Sequence, residues 1–357
     1  MRKTNRFLTL LYFNIAYIAC TTIQSSALSF TNKINNILIL DHLNINHERG
    51  RHDWLRAFYF DFLKCVVDPR KKENIELGRK TLWANIGANQ FHLPEGNPEA
   101  QVLKGLVTLS YPTLSGLRDR MEECASKLEG SKFQVVEDLN NSLHVTDPWG
   151  THFRLVHGDP LERDPRGQQP GEGISEGLAI RDLTLYCPQG TNMTGIARFY
   201  QEILGAVTEI TQSNVCTVSV GPQQTLTFKE HPNPNTDVKH HEMLDESSDF
   251  PEAKPAFLSN YGPHVSIYVR SLPATYKAAD KLNLVYVNPR FKRQAFTLED
   301  AVDQCMFRII DIVDPESPNN VILKLEHEVR SVVKKDGTIY KSCPFNEIPK
   351  EPERLNI

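Results

Sequence analysis

The sequence predicts an α+β protein made of four repeats of one unit, and three observations carry that expectation. Four times a strand-like run is followed by an amphipathic helix and then by further strand-like runs. Two of the four cycles close on an Asp-Pro turn, at Val145–Gly158 and Ile312–His327. A Pro-, Gly- and charge-rich stretch, His157–Gly177, stands between the second cycle and the third and reads as a joint. Repetition of this kind constrains a fold before any single residue is interpreted, because equivalent positions of the repeats meet in a shared interior.

The elements follow in order. Residues Met1 to about Phe30 read as a targeting segment: MRKTNR is basic, FLTLLYFNIAYIAC apolar, and TTIQSSALSF approaches a cleavage site through small residues. The apolar run is too short and interrupted for a membrane span, so no integral membrane segment is expected in the mature chain. SSALSF followed by basic TNKINN resembles the signal-to-transit junction of algae with secondary plastids, which implies a plastid destination. Secretion is the alternative, and Asn192-Met193-Thr194 would then be a glycosylation acceptor.

The four opening strands read Ile37–Asn46, Lys104–Tyr111, Leu178–Cys187 and Gly262–Val269. Leu55, Phe58 and Phe62 share one face of a helix within His52–Cys65. Leu114, Leu117, Met121, Cys124 and Leu128 keep helical spacing in the second cycle, Ile196, Phe199, Tyr200 and Ile203 in the third, and Leu272, Tyr276, Ala279 and Leu282 in the fourth. Gly205 is a natural stop for the third helix. Alternation in Ile309–Val313 and Val321–Leu325 implies sheets with one buried face. The polar segment Glu230–Gly262, with four prolines and the pair His240-His241, reads as a long surface loop or a lid.

Composition bounds the function. With 40% hydrophobic residues, 24% charged residues and a net charge of only −4, the chain has material for cores but no basic face, so nucleic acid is not expected as a partner. Of seven cysteines, Cys65, Cys124, Cys187, Cys216 and Cys305 lie in apolar-periodic segments without CxxC pairs, which favours buried free thiols over disulfides.

DHLNIN followed by WLRAFY, IRDLTLYC followed by IARFYQEILG, and the closing strands NQFHLPEG, DPWGTHFRL and DPESPNNVILKLEH together resemble the vicinal-oxygen-chelate superfamily of glyoxalase I, extradiol dioxygenases and bleomycin-resistance proteins. The resemblance covers roughly Ile37 to His327. It implies four βαβββ modules in two tandem pairs, residues 36–158 and 178–330, joined by a linker at 159–177 and followed by a polar tail at 331–357. Each pair is expected to form a cupped, barrel-like mixed sheet with helices outside.

The same resemblance implies where a site belongs: at the start of a module's first strand and in the middle of its last. In the second pair these positions hold Asp182, His264 and Glu326 or Lys324, with Thr227 or Lys229 on the third module's last strand. Asp182, His264 and Glu326 would make a set for Fe, Mn, Zn or Ni, provided that Lys324 turns away from the ion or serves an anionic substrate. The plain alternative is a capping or paired Asp182, a core His264 and a solvated Glu326. In the first pair the positions hold His42, His92, Leu106 and Arg154, which suit a carboxylate or phosphate ligand better than a metal, because a guanidinium stays charged. His42 beside Asp41 is equally readable as a structural pair. The function expected is therefore a glyoxalase- or dioxygenase-like protein, either a divalent-metal enzyme acting on a small polar organic substrate or a non-catalytic binder of the same fold.

Overall fold

The computed structural model describes residues 35–96, 99–159, 174–241, 262–288, 291–341, 343–345 and 347–349. The targeting segment, most of the joint, the greater part of the Glu230–Gly262 loop and the end of the tail lie outside the described residues.

Among the described residues, sixteen strands fall into four modules of four. Module one holds β1 (Ile37–Asn44), β2 (Val66–Val67), β3 (Leu82–Ile86) and β4 (Asn89–Leu93). Module two holds β5 (Gly105–Tyr111), β6 (Gln134–Glu137), β7 (Leu143–Thr146) and β8 (His152–His157). Module three holds β9 (Ala179–Cys187), β10 (Thr208–Gln212), β11 (Val215–Gly221) and β12 (Gln224–Glu230). Module four holds β13 (His264–Val269), β14 (Val285–Tyr286), β15 (Met306–Asp314) and β16 (Ser317–Ser331). In every module the first strand runs parallel to the last, and the remaining pairings are antiparallel.

The modules do not pair in sequence order. β1 pairs antiparallel with β13, so modules one and four form one eight-stranded sheet in the order β14-β15-β16-β13-β1-β4-β3-β2. β5 pairs with β9, so modules two and three form the second, in the order β10-β11-β12-β9-β5-β8-β7-β6. Neither sheet closes on itself. The expected tandem pairs, 36–158 and 178–330, are thus corrected to a nested arrangement, and His157–Gly177 joins two modules of one sheet rather than separating two pairs.

Side chains explain how the nesting is held. β1 and β13 are buried along their whole length, so neither tolerates an edge position. The first helix begins at His52–Leu55 and continues as a π-helical stretch, Arg56–Phe62, in which Leu63 N–H donates to Phe58 O at 2.9 Å. That wider winding spreads its aromatic face over both sheets: Tyr59 packs on Phe91 of β4, with centroids 5.2 Å apart, and Phe58 on Phe153 of β8, at 5.3 Å. The third helix, Met193–Glu202, likewise leaves its own sheet to reach β16, where the Tyr200 hydroxyl meets His327 Nε2 at 2.6 Å. Asn89 ties the sheets directly, donating to Leu40 O and accepting from Ile180 N at 2.7 Å and Gln224 Nε2 at 3.0 Å.

The periodic helix residues expected in the core are found there, including Leu117, Cys124, Ile196, Phe199, Tyr276 and Ala279. The third helix ends at Ile203, with Gly205 at φ +63°, a backbone angle that suits glycine. Cys65, Cys124, Cys187, Cys216 and Cys305 are buried free thiols, and burial pushes Cys187 and Cys216 up to about 12. Asn192 is engaged as the helix cap, accepting from Gly195 N and donating to Asp314, so its amide is occupied by the fold. No helix among the described residues is long and apolar enough to cross a membrane.

Candidate metal centre

The nested pairing changes which repeated positions meet. β1, β4, β13 and β16 lie side by side at the centre of the first sheet and bring together His42, His92, His264 and the carboxylate of Glu328. One donor atom each from His42, His264 and Glu328 lies within 4.8 Å of the other two, and all three residues are buried. This is the one such group among the described residues.

Local structure aims each donor. A register shift between Leu40 and His42 interrupts the β1–β13 ladder, a bulge that lets the neighbouring side chains of Asp41 and His42 meet. Asp41 Oδ2 lies 2.8 Å from His42 Nδ1, which places the Nδ1 proton on that side and leaves Nε2 with its lone pair. Nε2 is buried and has no hydrogen-bond partner. A buried imidazole nitrogen without a partner is costly unless something binds it. His264 opens β13 and lies 3.9 Å from Glu328, measured from Nε2 to Oε2. His92 stacks on His42 with centroids 3.6 Å apart and on Trp83 at 4.4 Å, fixing both ring planes. Burial, together with the charges of Arg330 and Arg70, holds His92 well below the usual imidazole range, so it is neutral.

Glu328 is the anion of the group. Burial opposes its ionisation, but the guanidinium groups of Arg308 and Arg330 override this and hold the carboxyl well below its usual range. Arg308 bridges Glu328 and Glu326, donating to Oε1 of Glu326 at 2.5 Å. Arg330 Nε lies 3.0 Å from Oε1 of Glu328, and its Nη1 lies 3.5 Å from Asp41. The site opens into a cavity of about 470 Å³ whose wall includes His92, His264, Glu328 and Trp83.

The residues expected from sequence are redistributed. His264 joins the cluster, but its expected companions do not. Asp182 lies on β9 in the other sheet, where its two oxygens accept from the hydroxyls of Thr184 at 2.5 Å, Thr225 at 2.6 Å and Thr227 at 2.7 Å. Burial raises its pKa while these three donors oppose the rise. Glu326 is fully buried and accepts from Arg308 and from Asn288 at 3.0 Å. Lys324 does not line the cavity; it pairs with Asp311 at 2.7 Å on a half-exposed face. Arg154, expected beside His42 and His92, also lies in the second sheet, 3.8 Å from Asp138, and Leu106 is there too. His42 and His92 do share a site, with His264 and Glu328 rather than with Arg154.

Glu328 itself was not anticipated. Its signal is the alternation at the end of β16, where Glu326, Glu328 and Arg330 alternate with His327 and Val329; a register shift between the pairs Ile309–His327 and Asp311–Lys324 carries Lys324 off that face. Lys324, Glu326 and Glu328 all satisfy the spacing rule for a last strand, and only the folded strand selects 328.

Four modules, each with its first strand parallel to its last, joined through their first strands in pairs, decide the architecture. This module plan is the one that the sequence resemblance implies, with the pairing of the modules changed. Solved structures similar to the chain include a dioxygenase-like protein of Bacillus subtilis, 12% identical, covering 83% of this chain and 86% of its own, with a TM-score of 0.45. Glyoxalase I of Zea mays is 10% identical over 82% of this chain and 92% of its own, with a TM-score of 0.43. The 2,3-dioxygenase LapB of Pseudomonas sp. KL28 is 12% identical over 87% and 96%, with a TM-score of 0.26. No protein-family model matches the sequence, and no curated protein matches it. Similarity at this level carries no reaction.

Proposed function

We propose that the chain is a divalent-metal-dependent enzyme of the glyoxalase or dioxygenase kind, acting on a small polar organic molecule in the cup of the first sheet. The observation that carries this reading is His42 Nε2, buried and without a hydrogen-bond partner beside His264 and an ionised Glu328. Two imidazoles and a carboxylate suit Fe(II), Mn(II), Zn(II) or Ni(II) and leave positions for a substrate. A bound cation would polarise vicinal oxygens of that substrate. Asp41 orients His42 through its Nδ1 proton, and neutral His92, at the cavity wall, is placed to hydrogen-bond the substrate or take a proton from it.

A second reading, a non-catalytic binder, is favoured by a specific feature: Arg308 and Arg330 already flank both oxygens of Glu328. In that reading the carboxylate completes a salt-bridge network and has no need of a metal. Calorimetric titration of chelator-treated protein with Mn(II), Zn(II) and Ni(II), and with Fe(II) under anaerobic conditions, separates the two. The enzyme reading expects saturable binding of one ion that is lost in His264→Ala; absence of binding by every ion leaves the binder.

The N-terminal segment fits a cleaved leader, with a plastid as the proposed destination and secretion as the alternative. Sequencing the mature N-terminus and locating the native protein by fractionation test both points; recovery of Met1 rules out cleavage.

A further inference from the structure

We infer that the cup of the first sheet takes an organic anion, and that Lys71, Lys292 and Arg293 hold its carboxylate or phosphate group at the mouth. This rests on the cup being the substrate site, as proposed above, and adds the charge class of the substrate and the residues that select it.

The inference comes from separating the cations of the wall into those the fold neutralises and those it does not. Arg70, Arg308 and Arg330 line the cavity, and each has a carboxylate of its own. Arg70 pairs with Asp68 at 2.6 Å, Arg308 with Glu326 and Glu328, and Arg330 with Glu328 and Asp41. Arg308 is buried, Arg330 nearly so and Arg70 exposed, and a carboxylate of the fold meets the charge of each. Lys71, Lys292 and Arg293 line the same cavity, and none has an ion pair with a described residue. What holds two of them is aromatic: Lys71 Nζ lies 4.6 Å from the centroid of Trp83, and the Arg293 guanidinium 5.5 Å from that of Tyr340. A cation–π contact orients a cation and leaves its hydrogens free for an acceptor.

Position matters as much as pairing. Lys292 and Arg293 are exposed and Lys71 is half-buried, whereas Glu328 and His264, in the same lining, are buried. Among the described residues Glu328 is the one carboxylate in the lining. Three cations with no ion pair among the described residues, over a cavity with low-dielectric walls, focus a positive potential on its opening, raising the local concentration and the on-rate of anions. The chains come from modules one and four, so both halves of the sheet contribute to the same anion-selecting rim. A neutral or cationic ligand would leave those charges uncompensated, and a cationic one would be repelled.

The test uses the full chain, dialysed free of metal, and three probes of similar size: inorganic phosphate, succinate and the neutral succinamide. Binding is followed by calorimetry for the wild type and for the triple variant Lys71→Gln/Lys292→Gln/Arg293→Gln, with circular dichroism confirming the fold. The wild type should bind phosphate or succinate in preference to succinamide, and the preferred anion tells a phosphorylated substrate from a carboxylic acid. Its affinity should drop about tenfold or more in the triple variant and should weaken with added salt. Equal affinity in the variant, equal binding of succinamide, or no binding of either anion overturns the inference. Because metal is absent throughout, failure here is distinct from failure of the metal reading: a protein that takes a metal but no anion loses only this inference, and one that takes an anion but no metal loses only the enzyme reading.

Discussion

The two sheets are built on one plan and end in opposite chemistry. In the first, the central strands β1, β4, β13 and β16 carry His42, His92, His264 and Glu328, with one imidazole nitrogen left without a partner. In the second, the equivalent strands carry Arg154 and Asp182 among threonines, and Asp182 is satisfied by three hydroxyls. The second sheet has a recess of about 330 Å³, but neither Asp182 nor Arg154 lines it. On the proposed reading one sheet keeps its centre for a ligand and the other uses it as scaffold, and the difference lies in whether the central polar groups find partners inside the protein. A self-satisfied Asp182 stabilises the fold and has nothing left to bind; an incompletely satisfied His42 has the reverse character.

This contrast can be broken or sharpened by substitution, and the largest effect belongs to the first sheet. Asp41→Asn should keep the shape of the His42 environment while removing the carboxylate that orients its ring. Metal affinity, measured by competition with a chelating dye, should fall about 10–100-fold. An unchanged affinity would remove Asp41 from the site.

In the second sheet the effect should be on stability alone. Asp182→Ala leaves the hydroxyls of Thr184, Thr225 and Thr227 without their acceptor and should cost about 1–3 kcal/mol in urea denaturation, with metal binding intact. Loss of metal binding in this variant would mean that the two sheets are not functionally separate.

The buried histidines outside the cluster predict how pH acts on the shared body. Burial lowers His240, in contact with Tyr186 of the second sheet, and His327, at the junction of the two, to about 4 from an ordinary 6.5. Their folded values lie below the unfolded ones, so the stability they contribute is present above about pH 6.5 and is lost as pH falls through about 4. Each is worth at most about 3 kcal/mol. Denaturation midpoints across this range should drop on acidification, and less steeply in His240→Gln; a parallel drop in the variant would assign the effect elsewhere. The smallest effect expected is that of Lys324→Ala. Its half-exposed pair with Asp311 should contribute less than about 1 kcal/mol, and its loss should leave metal binding unchanged.

Much of the fold was legible because it is local. Helical spacing placed Leu55, Phe58 and Phe62 on a buried face, and alternation placed the strands. The partner of each module was not legible, because β1 is buried on both faces and carries no mark that distinguishes β5 from β13 as its neighbour. That single non-local fact decided the site. His42, His92 and His264 were all singled out by their places on first and last strands, but sequence-order pairing distributed them between two cups and recruited Asp182 and Arg154 to fill the gaps. Glu328 was missed by one alternation of β16: it stands two residues beyond Glu326, and the register shift that carries Lys324 off their shared face is not visible in the sequence.

The most direct test of the central claim is metal stoichiometry in matched variants of the two sheets. Wild type, Glu328→Gln and Asp182→Asn, each loaded with one divalent ion and desalted, should be assayed for bound metal by mass spectrometry. The account predicts one ion per chain in the wild type and in Asp182→Asn, and none in Glu328→Gln. Metal retained by Glu328→Gln, or lost from Asp182→Asn, would contradict it.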